Sequence, residues 1–542
     1  MKPTTAALPA TLFCLVLTAT AQQQPQPAPH PAVTTADSKQ WLGKLASPEF
    51  EGRGTGQDGF RKAADYVRDH FKALGLEPGG PDGSWFQDLP WTQSRPDVAS
   101  AKLVFRRGGR EVVVPGARLA GTVSKALDVQ GDVVLVPVDA DDAVADLDLA
   151  GKVVVLVPAS APPPDGDSRR DRGSPPFRML RALQGKNVAA IAQADQAAVT
   201  APLQGSSLPA GQNRAARGAR MFPATVTFGG ADLDALLALA GQKALPVTPL
   251  PVPVACALKI DVTDEAAPAC NVVGVLRGSD PKLNSEYVVI GSHLDHLGRR
   301  GGTWYPGADD DGSGTTGVMA AAQMFARGAR PARSVLFVCF CGEELGLVGS
   351  DWFVRHPPIP LAAIVGELQM DMIGRCEEEG HDGPRLVNRG ERAEDNRNTV
   401  HLIGSQKLSP ELHDICIQQN AKAGFDIEWD QESLFSRSDH ANFGKMGVPI
   451  AFFFTGLHRD YHQPTDTPDK IDYDKLLRVA TWVHDIALEL ATRAQRPRVD
   501  PALWRDYPNH ASGKPAAPLL GDDAPATQQA PATGEAPHGG GR

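Results

Sequence analysis

The 542-residue sequence lacks the features of several large classes of protein. No two cysteines stand at CxxC spacing, which argues against a zinc site built from thiolates. No helix or stripe is dense in Lys or Arg, and the net charge is −10, so nucleic acid is not an expected partner. No run after the amino terminus is long and apolar enough to cross a bilayer, so no membrane span is predicted.

The two ends of the chain have the composition of segments outside a folded core. Residues 1–21 join Lys2 to an apolar run and then to small residues, as in a signal peptide, so we expect an exported protein, periplasmic or secreted. An apolar leader without a targeting role is the alternative. Residues 22–37 form a Gln-, Pro- and Ala-rich linker, and residues 497–542 form a Pro-, Ala- and Gly-rich tail. Both are predicted to be disordered.

Hydrophobic periodicity divides the remainder into two parts. Residues 57–74 carry apolar side chains at helical spacing, which predicts a helix with one buried face. Residues 96–255 contain short apolar runs between long Pro- and Arg-rich loops, which predicts a β-rich insert. In the segment after it, near-continuous apolar runs alternate with helices, as in a largely parallel sheet with helices on both faces. The predicted fold is mixed α/β over 38–95 and 256–496, with the insert between them.

Residues able to bind a metal follow the predicted strands at their carboxyl ends. In open parallel sheets, ligands bind beyond this edge, so these side chains are expected to meet. The stretch PGADDDGSG adds adjacent carboxylates, whose mutual repulsion a cation would relieve. The residues are His293 and Asp295 after YVVIGS, Glu343 and Glu344 after SVLFVCF, Asp371 after LAAIVGELQM, His462 beyond VPIAFFFT, and the acids Asp309, Asp310 and Asp311.

Each of these motifs alone has a simpler explanation. DDDGSG fits a calcium loop or an acidic helix start, His-x-Asp fits a core histidine, and Glu-Glu fits a solvated face. Their placement at separate strand ends favours metal binding. Two His and three or more carboxylates exceed the ligands of one tetrahedral zinc, which predicts two ions ~3.5–4 Å apart that share a water. Of Glu343 and Glu344, one is expected to bind metal and the other to act as a base.

The motifs GSHLDHLG, PGADDDGSG, FCGEELGLVGS, ELQMDMIG, SRSDHANF and YHQPTDTPDKID occur in this order. Together they resemble the co-catalytic zinc metallopeptidases that include bacterial leucyl aminopeptidases and glutamate carboxypeptidases. The resemblance covers about 38–90 and 256–496. It implies two Zn²⁺, peptide substrates, and an exopeptidase that hydrolyses N-terminal peptide bonds through a metal-bridging water and a Glu general base. The insert resembles a protease-associated domain, with an unrelated β-rich insertion as the alternative.

The resemblance also implies a role for each matched residue. The metal ligands would be a carboxylate that bridges both ions and one histidine with one acid to complete each shell. These ligands are Asp310 as the bridge, His293 and Asp371 for one ion, and Glu344 and His462 for the other. Glu343 would be the general base, and Asp295 would hydrogen-bond His293 and fix its tautomer. Asp309 and Asp311 would be structural.

Two other functions are compatible with these residues. A carboxypeptidase or other amidohydrolase could use the same metals, and a receptor-like ectodomain could use the fold for binding alone. A substrate carboxylate is best held by clustered Arg or Lys. The motif segments offer only Arg299, Arg300, Arg375 and Arg437, which are dispersed along the sequence. The aminopeptidase is therefore the primary hypothesis. The sequence indicates neither an oligomeric state nor a disulfide pairing.

Overall fold

The computed structural model describes residues 32–159, 175–197, 199, 202–209, 225–300, 303–378 and 392–502. The predicted signal peptide lies outside these ranges, as do most of the predicted linker and tail. No helix within them has both the length and the hydropathy to cross a membrane.

The folded part extends beyond both boundaries that the sequence predicted. The first helix starts at Thr35, inside the range 22–37, because the Thr34 hydroxyl accepts a hydrogen bond from the Asp37 N–H and caps it. At the other end, Val499 is buried after the predicted start of the tail at 497.

The described helices are α1 (Thr35–Leu45), α2 (Asp58–Ala73), α3 (Pro175–Leu183), α4 (Gly230–Ala240), α5 (Gly312–Arg327), α6 (Val348–Arg355), α7 (Ser405–Leu408), α8 (Pro410–Ala423), α9 (His440–Lys445) and α10 (Tyr473–Thr492). The strands before the insert are β1 (Glu77–Pro78), β2 (Phe86–Asp88) and β3 (Trp91–Pro96). Those from there to residue 260 are β4 (Lys102–Arg107), β5 (Arg110–Pro115), β6 (Leu119–Val123), β7 (Leu127–Pro137), β8 (Val153–Val157), β9 (Ala190–Ala194), β10 (Leu203–Gly205), β11 (Ser207–Pro209), β12 (Thr225–Phe228) and β13 (Leu250–Ile260). The remaining strands are β14 (Val262–Ala266), β15 (Cys270–Leu276), β16 (Tyr287–His293), β17 (Arg299–Arg300), β18 (Thr303–Trp304), β19 (Ser334–Phe340), β20 (Ile364–Met370), β21 (Thr399–Ile403), β22 (Asp426–Glu428) and β23 (Ile450–Phe454).

The main sheet has nine strands in the order β1-β15-β19-β16-β20-β23-β21-β22, with β2 also paired to β15. Its central strands β19, β16, β20 and β23 are parallel, and β15 and β21 flank them in antiparallel pairing. Every residue of the four central strands is buried. This burial arises because α1, α2, α5, α8 and α10 pack on one face, and α6 and α9 pack on the other. The predicted mixed α/β fold is confirmed.

The helix predicted over residues 57–74 is α2. It buries its apolar stripe, which comprises Phe60, Ala63, Ala64, Val67 and Phe71, against the main core. The spacing of these residues places them on one side of the helix, and the opposite side carries charged residues. This prediction from periodicity is confirmed.

A second sheet lies in the region of the predicted insert. It has nine strands in the order β10-β6-β12-β9-β8-β7-β13-β4-β5 and encloses its own apolar core. The chain enters this unit through β3 and leaves it through β14, and these two strands pair with each other in antiparallel fashion. The insert is thus joined to the main unit by a paired two-strand stem. Its likeness to a protease-associated domain stays a prediction.

Candidate metal centre

The predicted site residues meet at the carboxyl edge of the parallel strands. His293 ends β16, Asp371 follows β20, Glu343 and Glu344 follow β19, and His462 lies in the loop after β23. Together with Asp310, which precedes α5, these side chains line one cleft of about 250 Å³.

Asp310 lies between two histidines. Its Oδ1 is 3.4 Å from His293 Nε2, and its Oδ2 is 3.1 Å from His462 Nε2. Asp371 Oδ1 is 3.4 Å from the same nitrogen of His293, and Glu344 Oε2 is 3.2 Å from that of His462. Ligand atoms at ~2.0–2.1 Å from a tetrahedral zinc are ~3.3 Å from one another. Each side of Asp310 therefore has the spacing of a zinc shell.

Buried atoms without a hydrogen bond also fit a cation. Asp310 Oδ2 and Glu344 Oε1 are buried beside imidazole nitrogens of His462 and His296, but neither contact has hydrogen-bond geometry. Buried carboxylate oxygens that face nitrogens without a well-formed hydrogen bond are unfavourable, and a divalent ion between them would satisfy both groups. His293 Nδ1 lies 3.0 Å from the main-chain oxygen of Asp295. Because a carbonyl only accepts, Nδ1 carries a proton, which leaves Nε2, on the side of Asp310, as the nitrogen that a metal would bind.

The contact predicted for Asp295 needs a correction. Its carboxylate Oδ1 is 4.0 Å from His293 Nδ1, too far for a hydrogen bond. Instead, Oδ1 accepts from the backbone N–H of Glu343 at 3.1 Å, which turns the carboxylate away from the ring. The main-chain oxygen of Asp295 thus orients His293, and its side chain holds the segment that carries Glu343.

The two acids that flank Asp310 bind backbone groups. Asp311 caps α5: its Oδ1 accepts from Gly314 N–H at 2.9 Å, and its Oδ2 accepts from His293 N–H at 3.0 Å. Asp309 Oδ1 accepts from Gly374 N–H at 2.7 Å. Asp311 also lies within ligand reach of His293 and Asp371. However, its oxygens already accept backbone hydrogen bonds, and those of Asp310 do not.

The adjacent Glu343 and Glu344 have opposite protonation preferences. Burial raises the pKa of Glu343 well above its ordinary value, and the nearby carboxylates of Glu344 and Asp371 raise it further. Burial also raises the pKa of Glu344, but His296 and His462 outweigh that effect and lower it to about 2. Two adjacent carboxyl groups whose pKa values are driven apart are suited to different tasks, one as an ionised ligand and one as a proton carrier.

Comparison with known proteins assigns the domain that carries this centre. Residues 271–487 match peptidase family M28. The chain carries an M28 peptidase domain. This confirms the predicted family resemblance. The match starts after the insert, so it leaves the identity of the insert open.

The chain has relatives among known proteins. Over 226 residues it is 29% identical to a probable leucine aminopeptidase of Arthroderma otae, and the match covers 40% of this chain and 57% of the relative. Over 197 residues it is 30% identical to leupeptin-inactivating enzyme 1 of Streptomyces exfoliatus, and the match covers 36% of this chain and 37% of the relative. The chain thus spans only about half the length of these relatives, or less.

A solved structure shares the fold over more of the chain. The structure of a zinc aminopeptidase from Bacillus subtilis superposes with a TM-score of 0.53 at 15% identity, over 85% of this chain and 96% of that one. At this identity the likeness supports the fold alone.

His296 is a residue of the M28 domain that the sequence analysis left without a role. It is buried, and its Nδ1 lies 2.7 Å from Glu344 Oε1 and 3.6 Å from Asp310 Oδ2. With these two acids it forms a group that could hold a metal ion. The stretch GSHLDHLG contains His296, but the spacing of its residues does not show whether His296 is a metal ligand or a histidine of the core.

Arg53 is a second residue without a predicted role, and it lies outside the range 271–487 and far from the metal motifs in sequence. Its side chain is 0% exposed, and within the described ranges its hydrogen bonds all go to backbone carbonyls. Nε binds Leu294 O at 2.9 Å, after His293, while Nη1 binds Pro306 O and Nη2 binds Gly307 O at 2.8 Å, before Asp310. One guanidinium therefore ties together the two loops that present His293 and Asp310.

We expect Arg53→Met to weaken zinc binding by about 10–100-fold, because ligands whose supporting contacts are lost no longer hold their geometry. Arg333→Met is a matched control. Arg333 is 1% exposed and donates to Leu490 O at 3.1 Å, at a distance from the centre. Both variants should unfold at lower temperature, whereas only Arg53→Met should lose zinc to a weaker chelator. Equal zinc retention by the two variants would show that Arg53 only supports the fold.

Proposed function

We propose that the protein is an exported two-zinc aminopeptidase that releases apolar residues from the amino termini of peptides. The observation that carries this proposal is the composition of the cleft. Six metal-capable residues line it, with Asp310 among them. Apolar side chains line the same cleft, and they include Leu434, Phe452, Phe454 and Leu457. A substrate held in the cleft would place an apolar side chain near a metal centre.

The residues present fit two zinc ions. His293, Asp310 and Asp371 would hold one ion, and Asp310, Glu344 and His462 would hold the other. The donors are imidazole nitrogens and carboxylate oxygens at tetrahedral spacing, which suits zinc. When bound, paired zinc ions polarise the scissile carbonyl and lower the pKa of a shared water.

Glu343 would move the proton. Its Oε2 is 4.0 Å from His293 Nε2, so it lies beside the ligands without replacing one of them. Its carboxylate would take a proton from the attacking water and deliver it to the nitrogen of the departing amine. The hydrogen bond from its N–H to Asp295 fixes its position on the rim.

The charges of the cleft favour a free amino terminus. An α-ammonium group is attracted by the carboxylates of Glu343, Asp371 and their neighbours. A carboxylate terminus would instead need clustered Arg or Lys. Among the described residues that line the cleft, Arg437 is the only one with a Lys or Arg side chain. Arg375 is paired with Asp460 at 2.8 Å.

Blocking either end of a peptide tests this direction. The substrate is a short peptide that starts with Leu, prepared free, N-acetylated or C-amidated and incubated with the zinc-loaded protein. We expect release of Leu from the free and amidated peptides and none from the acetylated one. Cleavage that survives acetylation and disappears on amidation would establish a carboxypeptidase. No release from any of the three would favour a binding ectodomain.

A further inference from the structure

A second cluster of metal-capable side chains lies apart from the cleft. We call it the His401 cluster, and it comprises His401, Glu377, Glu428 and Asp430. His401 is on β21, and Glu428 ends the edge strand β22. Glu377 lies in the loop after β20. The first three residues form a group whose ligand atoms are close enough together to hold a metal ion.

The two nitrogens of His401 face different partners. On the buried side, Nε2 lies 3.1 Å from Glu377 Oε2. On the open side, Nδ1 lies 3.1 Å from Asp430 Oδ1 and 3.5 Å from Glu428 Oε2. Histidines that bind metals usually donate their other ring N–H to a carboxylate, which fixes the tautomer. Glu377 is placed for that role, which leaves Nδ1, beside Asp430 and Glu428, as the nitrogen that a metal would bind.

Two distances on the open side are close to those of a metal shell. Atoms bound to one tetrahedral zinc at ~2.0–2.1 Å are ~3.3 Å apart. The distances from His401 Nδ1 to Asp430 Oδ1 and to Glu428 Oε2, 3.1 Å and 3.5 Å, lie just below and just above that value. The side chains of Glu428 and Asp430 are 40% and 47% exposed, whereas that of His401 is 0% exposed. The arrangement combines a buried imidazole ligand with two accessible carboxylates.

The charge of the cluster also favours a divalent ion. In the described part of the chain, no Lys or Arg nitrogen lies within 4.0 Å of the carboxylates of Glu377 or Asp430, and His401 is the base that both face. Protonation of His401 would supply one positive charge to the two carboxylates of Glu377 and Asp430. A divalent cation beside a neutral His401 supplies two and also occupies the space between the ligands.

We propose that His401 Nδ1, Glu428 and Asp430 bind a further zinc ion, with Glu377 orienting the imidazole from behind. The nitrogen-and-oxygen ligand set is that of a transition metal rather than of Ca²⁺ or Mg²⁺. The site is structural, because it joins strand β21 to the end of the short edge strand β22. His401 packs against Phe454 with ring centroids 5.8 Å apart, and Phe454 lines the cleft. An ion here therefore stabilises one wall of the cleft.

Zinc stoichiometry tests this site independently of the peptidase proposal. The full-length protein and the double variant Glu428→Gln/Asp430→Asn are equilibrated with Zn²⁺ at a buffered free concentration, and bound zinc is measured by mass spectrometry. Both substitutions are at half-exposed positions, so the fold should be kept. Asp426→Asn is the matched control, since it removes one carboxylate from the same strand outside the cluster. Circular dichroism verifies folding of all three proteins.

We expect the double variant to bind one zinc fewer than the parent and the Asp426→Asn control to bind the same number. Zinc should also raise the unfolding temperature of the double variant by less than it raises that of the parent protein. The difference is independent of how many ions the cleft holds. Equal stoichiometry in all three proteins would overturn the proposal and leave the His401 cluster as a buried imidazolium held by carboxylates. Loss of cleft zinc, tested with His462→Ala, would not change this difference.

Discussion

Replacing Glu343 with Gln is expected to reduce peptide turnover by a factor on the order of 10²–10⁴ and to leave the zinc content unchanged. The amide keeps the size of the side chain but cannot accept the proton of the attacking water. Because the same group would return that proton to the leaving amine, both transfers are lost. The measurements are the rate of Leu release from a free peptide and the zinc content of the same preparation.

Glu344→Gln is the matched control for that variant, since it makes the same change at the adjacent position. Glu344 Oε2 faces His462 Nε2 at 3.2 Å, so its amide should lower zinc content as well as turnover. Comparing zinc content in the two variants therefore distinguishes a general base from a metal ligand. If Glu343→Gln keeps near-normal turnover at normal zinc content, Glu343 is not the base.

The second large effect is expected for Asp310→Ala, which should disturb both of the zinc ions proposed for the cleft. Its two oxygens face different histidines, Oδ1 towards His293 and Oδ2 towards His462. A bridging ligand belongs to both coordination shells, so its removal affects both. Turnover should decrease to the background rate. Zinc affinity measured by chelator competition should show two weakened sites.

His293→Ala and His462→Ala are the controls for the bridge, because each removes a ligand from one shell alone. Each should weaken one ion and leave the other near its parental affinity. Asp310→Ala must therefore lower zinc affinity more than either histidine variant does. Equal zinc loss in the three variants would contradict a bridge at Asp310.

The sequence was sufficient to predict the fold and the position of the site. The continuous apolar runs of β16, β19, β20 and β23 predict buried parallel strands, because a strand covered on both faces has no polar side. The residues that follow such strands must share one edge of the sheet. His293, Asp371 and Glu343 are brought together for that reason, and order along the chain was enough to find them.

The remaining features depend on contacts between distant segments, which periodicity does not encode. Arg53 stands in a glycine-rich stretch, and only the folded chain shows that it is buried against the loops around His293 and Asp310. The carboxylate of Asp295 was expected to hydrogen-bond His293, but it accepts a hydrogen bond from the backbone N–H of Glu343 instead. The His401 cluster joins residues from separate elements, and none of them belongs to a recognisable motif.

The central claim is that the carboxylates and histidines of the cleft make peptide hydrolysis depend on zinc. The most direct test is the release of Leu from a free peptide by protein stripped of metal with a chelator, dialysed, and then titrated with Zn²⁺. We predict no release before zinc is added, recovery as zinc binds, and no recovery in Asp310→Ala at the same zinc concentration. Full release by the stripped protein, or no release at any zinc concentration, would contradict the account.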